Sequence, residues 1–108
     1  MEKSEIIKEL NDKHRENIPN SKTLITKGVK DLGEEMVYKI IQEVKYYTDF
    51  RKGNDPYGEH DFGSLKIGGN QIYWKIDYYD TDYNFGSEDA SNAKITGRLL
   101  TIMNSNEY

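Results

Sequence analysis

The segment Leu65–Tyr79, with the sequence LKIGGNQIYWKIDYY, carries the strongest structural signal in this chain. Apolar and polar residues alternate on both sides of Gly68-Gly69-Asn70, a pattern typical of two antiparallel strands joined by a tight turn. The second strand has one bulkier and more apolar face, which we expect to point into the core. That face consists of Ile72, Trp74, Ile76 and Tyr78. A hairpin at residues 64–79 therefore anchors the predicted fold.

Two helices and a short strand are predicted before the hairpin. Ser4 precedes an acidic turn and an apolar stripe, which indicates a helix over Ser4–Glu16 with Ser4 as its N-cap. The β-branched segment Thr23–Thr26 predicts a strand. Apolar residues recur at helical spacing from Gly33 to Tyr47, and this is the clearest helix in the sequence.

The chain after the second helix alternates between loops and regular structure. Turn-forming residues fill positions 51–58, and a loop of about 12 residues is long enough to suggest a function. An acidic loop is predicted over Asp80–Asp89. Apolar residues at helical spacing then predict a final helix over Ala90–Ser105, with Gly97 inside it.

These elements predict a single α+β domain over residues 1–108. A small antiparallel sheet of about three strands is packed with three helices, in the order α-β-α-β-β-α. Residues 1–20 form an amino-terminal helix and linker, and residues 21–108 form the core of the domain. The order of elements contains no internal repeat.

The composition excludes several classes of protein. The 108 residues include no Cys, so neither a disulfide framework nor a thiolate zinc site is possible. The net charge of -4 argues against direct binding of nucleic acid, because such binding depends on Lys and Arg at the phosphates. No apolar stretch is long enough to span a membrane, and no signal peptide is recognisable. We expect a cytoplasmic protein without a cofactor, either a monomer or a homodimer.

The negative charge is concentrated in the middle of the chain. Residues 1–48 contain 9 acidic and 9 basic residues, whereas residues 49–89 contain 9 acidic and 4 basic residues. Aromatic residues alternate with these acids, and aromatic side chains are enriched where proteins bind one another. The sequence is compatible either with a protein-binding patch or with a solvated acidic turn beside half-buried tyrosines. The candidate partner-binding residues are Tyr57, Glu59, Asp61, Asp77, Tyr79, Asp80, Asp82 and Tyr83.

The acidic loop also resembles a calcium-binding loop in part. Oxygen-bearing side chains recur at alternate positions, and the candidate ligands are Asp80, Asp82, Asn84 and Glu88. The glycine stands one position too late, however, and Ser91 stands where an EF-hand has a bidentate Glu. A plain turn is the alternative to a calcium site.

His60 is the candidate catalytic residue. It lies between Glu59 and Asp61, and His is the usual general base near neutral pH. With Asp77 and Asp80 from the nearby strand end, this loop could form a metal or acid–base site. The alternative is a structural His whose ring nitrogens are bonded to backbone carbonyls. His14, on the polar side of the first helix, is expected to be solvated.

Several motifs resemble a known family. They are Asn54–Gly63 (NDPYGEHDFG), Trp74–Asp80, Leu100–Met103 and Glu107-Tyr108. From about Thr23 to Tyr108 the chain resembles the small bacterial family catalogued as domain of unknown function 3768. That resemblance supplies no catalytic residue. It implies a mobile-element context, such as a plasmid or prophage, in which small acidic proteins often counteract host defences.

The leading hypothesis is therefore a non-enzymatic binding module of a mobile element. Its acidic, Tyr-rich surface would occupy the basic surface of a host defence nuclease or another nucleic-acid-binding protein, as an inhibitor of the anti-CRISPR or anti-restriction type. The rival is a small metal-dependent or acid–base hydrolase, which requires its polar side chains to converge in one cleft. A third hypothesis is a structural homodimer with an apolar patch centred on Trp74 or on the last helix.

Overall fold

The computed structural model describes all residues from Met1 to Tyr108. It contains three α-helices and four strands, followed by a single 3₁₀ turn at Ser105–Glu107. In chain order the elements are α1 (Lys3–Glu16), β1 (Thr23–Ile25), α2 (Lys27–Lys30), α3 (Glu34–Lys45), β2 (Phe62–Ile67), β3 (Asn70–Tyr79) and β4 (Gly97–Asn104). No helix is both long enough and apolar enough to cross a membrane. The α+β class is confirmed.

The four strands form one mixed sheet in the order β1-β4-β3-β2. The predicted hairpin is confirmed, because β2 pairs antiparallel with β3 in the register Ile67↔Asn70. Gly68 and Gly69 both have positive φ angles, of 55° and 79°, which a two-residue turn of this kind requires. The predicted all-antiparallel sheet of about three strands is wrong, since β1 pairs parallel with β4 as a fourth strand.

The last predicted element is also wrong. Ala90–Ser105 is not a helix, because the segment forms turns up to Thr96 and then the strand β4. This strand pairs with β1 on one side and β3 on the other, and most of its residues are buried. A strand buried on both faces has a continuous apolar run instead of an alternating one, and such a run also fits a helical pattern. Gly97 is therefore the first residue of β4, and the observed order of helices and strands is α-β-α-α-β-β-β instead of the predicted α-β-α-β-β-α.

Two smaller predictions differ in detail. Helix α1 begins at Lys3 with Glu2 in the N-cap position and no side-chain cap bond, so Ser4 is inside the helix. Three helices are present as predicted, but the third is the single turn α2, which follows β1 directly. The helix predicted from Gly33 is confirmed as α3, and the strand predicted at Thr23 is confirmed as β1.

The core lies on one face of the sheet. Buried side chains of α2 and α3 contact the inward residues of β3 and β4 there. Asn11 and Arg15 of α1 approach the same face through Tyr78 and Trp74. The inward set predicted for β3 is confirmed, since Ile72, Trp74 and Ile76 are buried and Tyr78 packs against the core. All three helices thus lie on one side of the sheet.

Candidate functional site

Two carboxylates of one loop and a third on β3 lie near enough to one another for the charges of Glu59 and Asp77 to act on Asp61. Glu59 and Asp61 precede β2, and Asp77 is near the end of β3. The backbone carbonyl of Asp61 accepts a hydrogen bond of 2.8 Å from the N–H of Ile76, which fixes the loop against β3. We refer to Glu59, Asp61 and Asp77 as the acidic cluster.

The acidic cluster is electrostatically strained at Asp61. Burial raises the pKa of the Asp61 carboxyl, and the nearby negative charges of Glu59, Asp55 and Asp77 raise it further. No Lys or Arg forms an ion pair with Asp61 or Glu59, whereas Asp77 is paired with Lys75 at 2.9 Å. Asp61 is therefore repelled by neighbouring carboxylates and has no ion-pair partner of its own.

A network of hydrogen bonds centred on the buried Asn11 holds Glu59 of the acidic cluster in place. Asn11, which is completely buried, donates through Nδ2 to the Glu59 carbonyl at 3.0 Å and to the Tyr78 hydroxyl at 2.9 Å. The Tyr78 hydroxyl donates in turn to Glu59 Oε1 at 3.1 Å. Burial raises the pKa of Tyr78 far above its ordinary value. Asn11 Oδ1 accepts a 2.7 Å bond from Arg98 Nε, so α1, β3 and β4 meet at this side chain.

The surroundings of His60 differ from those expected of a general base between Glu59 and Asp61. Its ring stacks on Phe50, with centroids 3.6 Å apart and planes 3° from parallel. Nδ1 is 2.9 Å from Asp12 Oδ1, and Nε2 is 3.6 Å from Asp55 Oδ2. The partners of the imidazole are therefore carboxylates of α1 and of its own loop, in place of the expected backbone carbonyls.

The residues of the hydrolase hypothesis do not converge on His60. The ring forms no hydrogen bond or ion pair with Glu59, Asp61, Asp77 or Asp80. The Asp55 side chain accepts a 3.0 Å bond from the His60 backbone N–H, which fixes the residue at its positive φ of 55°. This geometry favours a structural role for His60, which fastens the loop to α1 and Phe50.

The acidic loop after β3 is organised by Asp80. Its Oδ1 accepts hydrogen bonds from the backbone N–H groups of Asp82 and Asn84, at 3.1 and 3.0 Å, so the carboxylate shapes the turn. Nowhere in the chain are three or more His, Cys, Asp or Glu side chains grouped so that they could hold a metal ion. The calcium site at Asp80, Asp82, Asn84 and Glu88 stays a prediction.

The predicted tyrosines occupy three different settings. Tyr57 is 79% exposed on the loop before the acidic cluster. Tyr79 is half-buried on the sheet face away from the helices and lies against Tyr83, with ring centroids 5.8 Å apart. The Tyr83 hydroxyl donates to the Arg98 carbonyl at 3.2 Å, so this side chain covers the start of β4. The three tyrosines thus differ in exposure, and Tyr57 is the most exposed of them.

Sequence reasoning missed the residues that hold this region together. Asn11, Asp12 and Arg15 belong to α1, which the sequence marks only as an amphipathic helix. The one available signal is Arg98, a charged residue at the start of the apolar run that ends at Met103. A charge in such a run indicates a buried polar partner, but the sequence does not identify Asn11 as that partner.

Replacing Asp61 with Asn is expected to stabilise the protein at neutral pH. The folded state raises the pKa of Asp61, so its contribution to stability is complete below the unfolded pKa of about 3.9 and is lost as the pH rises through the folded pKa. Thermal unfolding should show a higher Tm for Asp61→Asn at pH 7 and no difference at pH 3. Asp82→Asn removes the same charge from an exposed turn and is the control. An equal or lower Tm for Asp61→Asn than for this control at pH 7 would contradict the proposed repulsion.

The comparisons with known proteins identify a family and nothing closer. The model of a family described as "protein of unknown function (DUF3768)" matches residues 25–107. That range includes the acidic cluster, the whole sheet except the first residues of β1, and the helices α2 and α3. Neither the curated proteins nor the solved structures gave a match.

Proposed function

The chain belongs to this family of unknown function, and from its structure we propose that it is a non-enzymatic binding module that holds a protein partner through the acidic cluster. The observation that carries the proposal is the position of Asp61, which is half-buried, has no ion-pair partner and is repelled by the charges of Glu59 and Asp77. A cationic side chain from a partner would relieve their mutual repulsion. The loss of this repulsion on binding would then favour association.

The flanking aromatic side chains support a protein partner over a small cation. Tyr57, two residues before the cluster, is 79% exposed, and Phe85, on the loop after β3, is 75% exposed. Aromatic side chains are enriched among the residues that contribute most to protein binding, where they supply rigid contact area at low entropic cost. The proposed interface combines these aromatic anchors with the carboxylates between them.

The proposed partner is a protein with a basic surface. Basic surfaces are typical of nucleases and other nucleic-acid-binding proteins, and carboxylates compete there with phosphates. We propose a phage- or plasmid-type inhibitor of a host defence system, of the anti-CRISPR or anti-restriction type, acting in the cytoplasm. Such an inhibitor needs no direct contact with nucleic acid.

The proposal predicts capture of basic partners that depends on the acidic cluster. The immobilised protein should retain host nuclease subunits with exposed Lys and Arg, and retention should fall steeply between 0.1 and 0.5 M salt, by about tenfold or more, because surface charges are screened. Asp61→Asn/Asp77→Asn should lose most of this binding while the fold, checked by circular dichroism, is kept.

The matched control removes two charges elsewhere. Glu5 and Glu9 are exposed on α1 and form no ion pair, so Glu5→Gln/Glu9→Gln changes the net charge equally. Equal retention by the two double variants would show that net charge alone acts and would refute a role for the cluster. Binding that is insensitive to salt would refute electrostatic recognition of a basic partner.

A further inference from the structure

A second concave surface, rich in positive charge, lies between the end of α1 and the start of β4. This cleft has a volume of about 430 Å³, within the range of small-molecule sites. Its charged and polar lining comes mainly from Lys13, His14, Ser21, Lys22 and Arg98. No Asp or Glu lines it, although the chain as a whole carries a net charge of -4.

Arg98 is the least expected member of this lining. It is only 7% exposed and forms no ion pair with a carboxylate, and burial lowers the pKa of its guanidinium. The charge of Glu59 partly offsets this effect of burial. Nε donates to Asn11 and Nη2 donates to the Ala90 carbonyl, while Nη1 forms no hydrogen bond in the protein and reaches solvent. A largely buried charge is costly unless it is paired and hydrogen-bonded, and an anion at Nη1 would supply such a partner.

Three further side chains of the cleft, those of Ser21, Lys13 and Lys22, form no hydrogen bond or ion pair in the protein. The Ser21 hydroxyl is buried without a hydrogen-bond partner. Neither Lys13 nor Lys22 is in an ion pair, and the Lys22 ammonium lies 4.4 Å from the centroid of the Tyr83 ring. His14 Nε2 is 2.8 Å from the Lys22 carbonyl, and burial, together with a smaller effect of the Arg98 charge, lowers the pKa of His14. His14 thus lines the cleft and is half-buried, so it is less solvated than the sequence predicts.

We propose that this cleft binds a small molecule that carries a phosphate monoester. A phosphate has enough acceptor oxygens for Arg98 Nη1 and both lysines, whereas a carboxylate has only two. The cleft is larger than a phosphate ion, and the remaining volume, bounded by Leu10, Ala93 and Tyr83, receives the organic part. None of the acidic cluster lines this cleft, so this proposal does not rest on the proposed function, although Asn11 contacts both Arg98 and Glu59.

Titration with adenosine 5′-monophosphate, inorganic phosphate and adenosine tests the proposal on the full chain. Amide chemical shifts recorded by NMR should move at residues 13–22 and 97–98 with the monophosphate and, more weakly, with inorganic phosphate. Adenosine, which lacks the phosphate, should produce no such change at equal concentration. Calorimetry of the same titrations supplies the affinities.

Variants of the two exposed lysines separate binding from folding. Lys13→Gln/Lys22→Gln should weaken monophosphate binding by about tenfold or more, because two charge-assisted contacts are lost. Lys66→Gln removes an exposed charge on β2, outside the cleft, and should leave the affinity unchanged. These lysines are preferred to Arg98, whose bond to Asn11 also supports the fold.

Three results would overturn the proposal. The first is the absence of shifts at these residues up to 10 mM of either phosphate compound. The second is an equal loss of affinity in the Lys13/Lys22 and Lys66 variants, which would indicate non-specific attraction of anions. The third is binding of a single-stranded DNA oligonucleotide at the cleft without binding of the monophosphate, which would assign the surface to a nucleic-acid backbone.

Discussion

Trp74→Ala is expected to lower the free energy of unfolding by about 3–5 kcal/mol, the largest loss of any single substitution considered for this chain. The indole is completely buried at the centre of β3. Tyr47 and Phe50 meet it edge to face, with centroids 5.4 and 6.1 Å away, and the Arg15 guanidinium lies 5.3 Å from its ring. Removing the ring leaves a cavity beneath Arg15 and deprives three side chains of their common contact.

Urea unfolding followed by circular dichroism measures this loss, and two glycine variants define its origin. A Cβ at Gly63 would lie 2.2 Å from Trp74 Nε1, so Gly63→Ala should cost about 1–3 kcal/mol by overpacking. Gly53→Ala, with no atom within 4 Å of the added carbon, is the matched control. In the Trp74→Ala background, Gly63→Ala should cost little, because the obstructing ring is gone. Additive losses at the two positions would contradict this packing.

Asn11→Ala is expected to cost about 3 kcal/mol, although the residue is polar and lies on a surface helix. The substitution removes the acceptor of Arg98 Nε and the donor to both Tyr78 and the Glu59 carbonyl. The largely buried guanidinium forms no ion pair with a carboxylate, and the more distant charge of Glu59 does not replace the lost hydrogen bond at Nε. The loop that carries Glu59 and Asp61 loses its attachment to α1 at the same time.

The same urea experiment tests this expectation, with Tyr78→Phe and Asn20→Ala beside it. Tyr78→Phe removes only the hydroxyl that joins Asn11 to Glu59, so its cost should be about 1 kcal/mol. Asn20 is exposed and its side chain forms no hydrogen bond, so Asn20→Ala should be close to neutral. A loss for Asn11→Ala no larger than that for Asn20→Ala would show that the network contributes nothing.

The elements predicted correctly are those whose pattern depends on local geometry. The hairpin β2–β3 is predictable because apolar and polar residues alternate with a period of two on both sides of Gly68-Gly69. The two glycines also suit a turn with positive φ angles. Helix α3 is readable because one apolar stripe at helical spacing faces the core. Strand β4 is not predictable from such a pattern. Both of its faces are covered, so its sequence does not alternate between apolar and polar residues.

The candidate site was predictable only in part. The concentration of acids and tyrosines between residues 49 and 89 is a property of the sequence, and it selected Glu59, Asp61 and Asp77. Their proximity depends on the pairing of the loop with β3. The contacts of His60 with Asp12 and Phe50, by contrast, join residues 48 and 10 positions apart and leave no local pattern.

The sequence by itself determined the α+β class, the hairpin, the inward face of β3 and the acidity of the middle of the chain, because each follows from spacing or composition within a short segment. Only the tertiary structure decided the central position of β4, the isolation of His60 from the acidic cluster and the basic cleft at Arg98. Each of these depends on which distant side chains become neighbours. The free energy of burying a charge or an apolar run is set by those neighbours, and a local pattern does not record them.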